Sequence, residues 1–513
     1  MRISFLIRSV LLSTAGLTCV GPVATAAASE VTLALEAAPR SVDPRYAVDA
    51  NSQYIENLVH CSLINFDKDG KTVPGLATSW SWKSPTALEV SLKPGAMFSD
   101  GSPVTPSDVQ ATYMFFKKED LKNPSPRKGA FTNVKNVATG KDNVTFELNE
   151  PDSTFVLNLV VGILPASYGA REMLSETDKI VGCGPFVYES MNANELKMSA
   201  NPKYTLGTPP KAAGVTIKFV KDETTRYAKL QAGEIDIVQN SISRDKINDI
   251  AAKSPSLQVY RRPGLNTTYL GFNMKDKIVS DVRVRQAIDM AIDREKIIKY
   301  VLSGLAVPAN TMLPPTDAFY NKTLGKSSYD PAKAQKLLDE AGFKDPDGKG
   351  KKPRFALSYK TTTDLTRVAI AKAIAADLKK IGIDVTVESL EWGRFKSDVE
   401  AGKVQMWSLA WVGFKDPDIY RFAFATESFP PNGGNRGWYS NPELDKLMTS
   451  GRTETDAAKR QDIYNKVQDQ IARELPYVFL WHEEIFAVVN KKVEGFEVYA
   501  DGRYASLATA TKK

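Results

Sequence analysis

The chain has 513 residues, 42% hydrophobic and 25% charged, with a formal net charge of +7. That length exceeds what one hydrophobic core can organise and predicts two or three lobes, while the ordinary composition excludes wholesale disorder. Basic residues are scattered, with one short cluster at Lys349-Gly350-Lys351-Lys352, which argues against a nucleic-acid groove built on one charged face.

The chain opens like an export leader. Arg2 and Arg8 flank the start of an apolar run through Val20, and Ala24-Thr25-Ala26-Ala27-Ala28 fits a small-residue cleavage pattern, with processing expected after Ala26 or Ala28. No other segment is long and apolar enough to span a bilayer, so the mature protein is expected to be soluble and exported. Cys19 falls within the leader, leaving Cys61 and Cys183. In an oxidising compartment these two are open to one disulfide or to two buried thiols.

Strand-like alternation begins at Val31 to Leu35. A turn follows at Ser41-Val42-Asp43-Pro44, then a short helix from Ser52 to Leu58. From about Ser62 to Asn149 short strands alternate with turns, as at Trp80-Ser81-Trp82, Leu88 to Leu92 and Val144 to Leu148. One helix interrupts them, with Ser107 placed to cap it. This stretch reads as a small α+β lobe. Further on, strand Val215 to Val220, helix Glu223 to Ala232 (stopped by Gly233) and strand Ile235 to Val238 have β-α-β spacing, which implies parallel strands. Asp281 can cap an amphipathic helix in which Val284, Ala287, Ile288, Ala291 and Ile292 recur at helical spacing. Asp330-Pro331 opens another helix, with Gly342 just past its end. Strands at 355–359, 383–387 and 404–410 alternate with helices at 365–381 and 393–401, which predicts an open parallel sheet.

In such a sheet ligands sit beyond the carboxyl ends of the strands. There the chain leaves Val404 to Ala410 through Trp411-Val412-Gly413-Phe414-Lys415-Asp416-Pro417-Asp418, and Trp392 follows the preceding strand. Asp-Pro-Asp is also ordinary turn chemistry. Trp407 reads as core, Trp411 can serve cleft or core, and Trp392 leans to the cleft. His482-Glu483-Glu484 lacks the second histidine of a metalloprotease motif and reads as a strand edge. His60 reads as a packed or surface histidine. Asp67-Lys68-Asp69-Gly70 lacks the later ligands of a calcium loop and reads as a hairpin turn. With no zinc-type spacing, nucleotide loop or nucleophile elbow, no cofactor, metal or catalytic residue is expected.

Many segments together, in order along nearly the whole mature chain, resemble one family. They include Ser41-Val42-Asp43-Pro44, Asp67 to Gly70 with Pro74-Gly75-Leu76-Ala77, Phe98 to Thr105 and Gly182-Cys183-Gly184-Pro185-Phe186. Ala232 to Asp236, Asp281-Val282-Arg283-Val284-Arg285 with Ala291 to Arg294, Leu337 to Phe343, and Tyr439 to Asp445 continue the set. They resemble the family 5 extracellular solute-binding proteins of ABC importers, the group that holds oligopeptide, dipeptide and nickel binders. The resemblance implies an α/β fold: a type II periplasmic-binding-protein-like bilobal clamp with an additional inserted α+β subdomain. It implies a discontinuous first lobe (29–60, 175–270 and 480–513), an inserted subdomain (61–174) and a third lobe (271–479) after a signal peptide at 1–28.

It further implies a monomeric periplasmic binder, not an enzyme, that closes on a peptide or peptide-like solute and delivers it to a permease and ATPase complex at the inner membrane. The candidate ligand-binding residues are Trp392, Ala410, Trp411, Val412, Gly413, Phe414, Asp416 and Arg436. Two departures stand out. Phe414 occupies the place where peptide binders of the family keep the aspartate that holds the ligand's ammonium, so Asp416 is the candidate replacement. Ser408 occupies the place of an arginine that receives the peptide carboxylate, for which Arg421 or Arg436 could substitute. Carriers of an opine, sugar, chelated metal or haem, and a secreted hydrolase or sensor on the same fold, are the competing readings.

Overall fold

A computed structural model describes residues 29–325, 327–348, 352–430 and 433–513. The expected leader, and Lys349 to Lys351 of the basic cluster, lie outside them. Ten strands form one continuous sheet. Its order is Ile383–Leu390, Phe355–Thr362, Met406–Trp411, Leu257–Phe272, Tyr477–Asn490, Ile237–Gln239, Val31–Leu35, Gly214–Phe219, Glu195–Ala200, Phe186–Met191. Ala306–Pro308 adds an eleventh strand beside Tyr477–Asn490.

Leu257–Phe272 and Tyr477–Asn490 are the two long central strands, and they run antiparallel to each other through both halves. Ile485, Ala487 and Val489 pack into one core with Val31, Leu33 and Ile217. Val478 and Leu480 pack into another with Leu270, Leu357 and Ile374. The same strand thus serves separate cores in the two lobes, and on its other face Phe486 and Val488 enter a further core with Ala34 and Val238 while Tyr477 and Phe479 enter another with Trp407 and Tyr420. Between them the pairing register shifts, from Pro263 to Thr267 and again after Thr268. Such irregularities weaken the ladder locally and bend it.

In the first lobe Val31–Leu35 lies between Gly214–Phe219 and Ile237–Gln239, parallel to both. The crossover helix Glu223–Ala232 starts where Asp222 accepts the Thr225 N–H and ends at Gly233, φ +75°. The β-α-β reading holds, with the first strand of the chain inserted between its two strands. In the other lobe Phe355–Thr362 is parallel to both Ile383–Leu390 and Met406–Trp411, but Met406–Trp411 is antiparallel to Leu257–Phe272. The expected open parallel sheet is therefore mixed. Its three parallel strands are built from local strand–helix alternation, whereas the strand beside them arrives from the other lobe in the opposite direction.

The strand-rich stretch folds as predicted into an α+β subdomain. Its antiparallel sheet runs Ala77–Ser84, Ala87–Leu92, Asn143–Leu148, Val134–Thr139. The helix Pro106–Met114 is capped at Thr105, not at Ser107, because Pro106 fits the first helical position and the Asp108 carboxylate accepts both the Thr105 N–H and hydroxyl, each at 2.7 Å. Asp67 to Gly70 is the turn of the hairpin Ile64–Phe66/Thr72–Pro74, with Asp67 Oδ1 accepting the Asp69 and Lys71 N–H groups. Leu88, Val90 and Phe146 belong to the same core as Val31 and Leu33, so this subdomain and the first lobe share one interior. Cys61 and Cys183 are joined as a disulfide at its base. Gly182 is required beside it, since a Cβ there would lie 2.1 Å from the Val59 carbonyl oxygen.

Candidate functional site

The three parallel strands end on one edge of their lobe, and the next apolar residue after each is exposed: Leu365 (84%), Trp392 (52%) and Val412 (71%). Exposed apolar side chains at one edge are a reason to look there for a binding surface. Beside this edge a cavity of about 730 Å³ opens between the lobes. The first lobe contributes Asn240 and Arg244 to its lining, the central strands contribute Thr268 and Glu483, and the other lobe contributes Arg367 and Ser408. Ligand sites favour such inter-lobe clefts.

Met406–Trp411 sets which side chains face this cavity. Alternation along a strand sends Trp407, Leu409 and Trp411 to one face and Met406, Ser408 and Ala410 to the other. The side chains of Trp407, Leu409 and Trp411 pack with Tyr269, Phe395 and Tyr420, whereas the cavity is lined by Ser408 and Ala410 and also bordered by Leu409. Trp407 is fully buried, as expected. The Trp411 indole stacks on Tyr269 (centroids 6.1 Å, planes 17° apart), meets the edge of Phe422, and carries the Arg436 guanidinium 5.4 Å from its ring centre. No carboxylate pairs with Arg436 among the described residues.

The residues after the strand go to different places. Gly413 adopts φ +64°, which an L side chain resists, and its N–H donates to Asn266 Oδ1 at 3.1 Å. Phe414 is partly buried against the Tyr420 core. Lys415 crosses to the first lobe: its ammonium lies 2.9 Å from Asp501 Oδ2 and over the Phe66 ring. Burial lowers the Lys415 pKa to about 8 against the pull of Asp501. Burial alone would raise Asp501, but Arg503 and Lys415 hold it down to about 2. Asp416 receives two hydrogen bonds from Arg460, at 2.7 and 2.8 Å, and a third from the Asp418 N–H. Behind it Asp317 is pushed up to about 6, by burial first and by Asp416 as well.

Of the eight candidates, Ala410 lines the cavity and Trp392 and Val412 are exposed at the strand ends without lining it, while Trp411, Phe414 and Arg436 belong to the opposite face of the strand. Gly413 ties the loop to a central strand, and Asp416 is engaged by Arg460. Arg421 is taken too, by Asp418 (3.3 Å) and Glu427 (2.6 Å). His482 is not at a strand edge as expected. It sits in an interior strand, 1% exposed, with Nδ1 2.8 Å from the Thr267 hydroxyl, and burial depresses it to about 3. Both of its flanks are filled because the strand pairs on one side with Leu257–Phe272 and on the other with Ile237–Gln239 and Ala306–Pro308. His60 is packed, as read, and burial lowers it to about 4.

Sequence reasoning passed over Asn240, Arg244, Arg367 and Glu483. Arg367 was within reach: it lies in the first turn after Phe355–Thr362, whose carboxyl end shares an edge with Met406–Trp411. Arg244 and Glu483 form an ion pair at 2.6 Å, and Thr268 donates to the same carboxylate at 3.1 Å. That pair joins the first lobe to a central strand and carries no motif.

Comparison with known proteins settles the family. The description "Bacterial extracellular solute-binding proteins, family 5 Middle" matches residues 71–430. The chain belongs to the family 5 bacterial extracellular solute-binding proteins. It is 29% identical to the Oligopeptide-binding protein AppA of Bacillus subtilis, over 90% of this chain and 87% of that one. It is also 29% identical to the Glutathione-binding protein GsiB of Pectobacterium atrosepticum, over 93% of each. The solved structure of Bacillus subtilis AppA in complex with a nonapeptide superposes with a TM-score of 0.69 at 27% identity, covering 94% of this chain and 99% of that one. The family 5 fold is a bilobal clamp, and separate cores in each lobe around shared central strands are how this member builds it. Among the described residues no helix is long and apolar enough to cross a membrane.

Proposed function

We propose that this family 5 protein captures a peptide or peptide-like solute between its lobes and delivers it to the permease and ATPase of an ABC importer, as a periplasmic monomer exported with a cleaved leader. It performs no chemistry on the solute. The observation that carries this reading is the inter-lobe cavity on the C-terminal edge of the three parallel strands. The likeness to an oligopeptide binder and a glutathione binder over nearly the full chain supports the peptide class. We take the lobe limits as those the resemblance implies, with closure about the register shifts in the central strands. Closure is a population shift driven by contacts that only the closed form makes.

In this reading Ala410, Trp392, Val412 and the Gly413 loop touch the ligand, whereas Phe414 and Asp416 hold the loop in place. Trp411 and Arg436 support it from the opposite face of the strand. Both histidines are buried, so direct imidazole ligation of a metal is not part of the proposal. The test is thermal unfolding of the mature protein with pooled peptides. Ligand at a hundred times Kd should stabilise the native state by about 2.7 kcal/mol. An upshift with sugars or opines but none with peptides would overturn the peptide class and leave the transport role.

A further inference from the structure

Ligand charge can be read from which charged groups around the cavity are already paired. Asp416 is held by Arg460, Glu483 by Arg244 and Glu484 by Arg261. Asp364 accepts the Arg367 N–H at 2.8 Å as a helix cap. Asp245 has no side-chain partner among the described residues, but it is exposed on the facing lobe. The Arg367 guanidinium, half-buried in the cavity wall, is likewise without a partner among the described residues. A half-buried cation without a partner, in a wall whose carboxylates other than the exposed Asp245 and the helix-capping Asp364 are ion-paired, suits an incoming anion.

Resting on the peptide reading above, we infer that the ligand is recognised through a carboxylate bound by Arg367 and that no free ammonium is required. Arg367 is thus the specificity-determining residue. It takes over from the lobe's helical side the anchoring that Ser408 cannot supply. The solute class is an anionic peptide-like molecule whose amino end can be blocked.

The experiment uses four tripeptide pools (unmodified, N-acetylated, C-amidated and doubly blocked), titrated calorimetrically and by thermal shift into the mature protein and into Arg367→Gln. The unmodified and N-acetylated pools should bind alike, and amidation should cost about tenfold or more in affinity. In Arg367→Gln that difference should collapse, while Arg367→Lys should restore part of it. Unliganded Tm should not move, because the side chain is half-exposed and unpaired. Loss of binding on N-acetylation, equal binding of all four pools, or an Arg367→Gln variant that still discriminates against the amide would overturn the inference and leave the peptide reading standing. Binding of none of the pools would overturn both.

Discussion

Two seams meet at the first lobe, and they are built from different materials. Towards the inserted subdomain the seam is apolar and continuous: Val31 and Leu33 share a core with Leu88, Val90 and Phe146, and the Cys61–Cys183 disulfide closes the base where the chain leaves and returns. Its charges are buried in place, with Arg45 1% exposed, paired to Asp43 at 2.7 Å and donating to the Tyr168 and Arg171 carbonyls. Towards the other lobe the cores are separate. Two strands cross with shifted register, a cavity of about 730 Å³ opens beside them, and ion pairs such as Lys415–Asp501 do the bridging. Close-packed apolar cores transmit force rigidly, whereas a polar, cavity-bearing seam can exchange its contacts at small cost. The first seam is a weld, and the second is the one proposed above to act as a hinge.

Breaking the weld should give the largest effect. Replacing both Cys61 and Cys183 by Ala releases a 122-residue separation in sequence. Chemical denaturation should report a loss of about 3–4 kcal/mol in the transition that includes this core. Peptide affinity of the folded fraction should stay the same. A loss of affinity with no loss of stability would place the disulfide at the hinge.

Next comes Asp416→Asn. Arg460 is 8% exposed, so removing its partner strands a buried charge, at a cost of about 2 kcal/mol or more. Free-amine and N-acetylated peptides should lose affinity equally, because the carboxylate serves the loop and not the ligand. A loss confined to free-amine peptides would make Asp416 a ligand contact.

The contact between Lys415 and Asp501 has two pH windows, and in both of them its share of stability rises with pH. Asp501 falls from its ordinary 3.8 to about 2 on folding, so its contribution is complete above 3.8 and is lost as pH drops towards 2. That window should carry about 2 kcal/mol, absent in Asp501→Asn. Lys415 falls from 10.5 to about 8, so the unfolded chain binds more protons between those values and this group's share of stability rises with pH across them. Urea midpoints across pH for Lys415→Met against the parent would show whether that rise belongs to Lys415. The smallest change is expected from Val412→Ser on the exposed edge: a few-fold weaker binding by titration and an unmoved Tm.

Much of this was legible beforehand where the signal is local. Asp281 caps the helix it was expected to cap, Asp330 opens its helix as read, Gly233 stops the crossover helix, and Val284, Ala287, Ile288 and Ala291 are buried at the predicted spacing. Arg285 shows what the family motifs are for: it donates to the carbonyls of Val279, Ser280, Glu474 and Leu475, joining one helix start to another helix end. Such motifs identify a scaffold and say little about a ligand. What was not legible is long-range. Strand order reverses direction beside Met406–Trp411 because its neighbour begins in another lobe. Asp416 looked free because Arg460 lies 44 residues away. Arg367 looked ordinary because an unpaired cation is recognised only when every possible partner has been placed.

The difference between weld and hinge can be measured directly by pulsed electron–electron distance measurements on spin-labelled pairs. Lys83, Lys253 and Lys396 are exposed positions in the inserted subdomain, the first lobe and the other lobe. With an unmodified tripeptide pool, the Lys253→Cys/Lys396→Cys distance should shorten by several ångströms, while Lys83→Cys/Lys253→Cys should hold its value. A fixed 253–396 distance under saturating peptide, or a shift in the 83–253 pair of comparable size, would contradict the account.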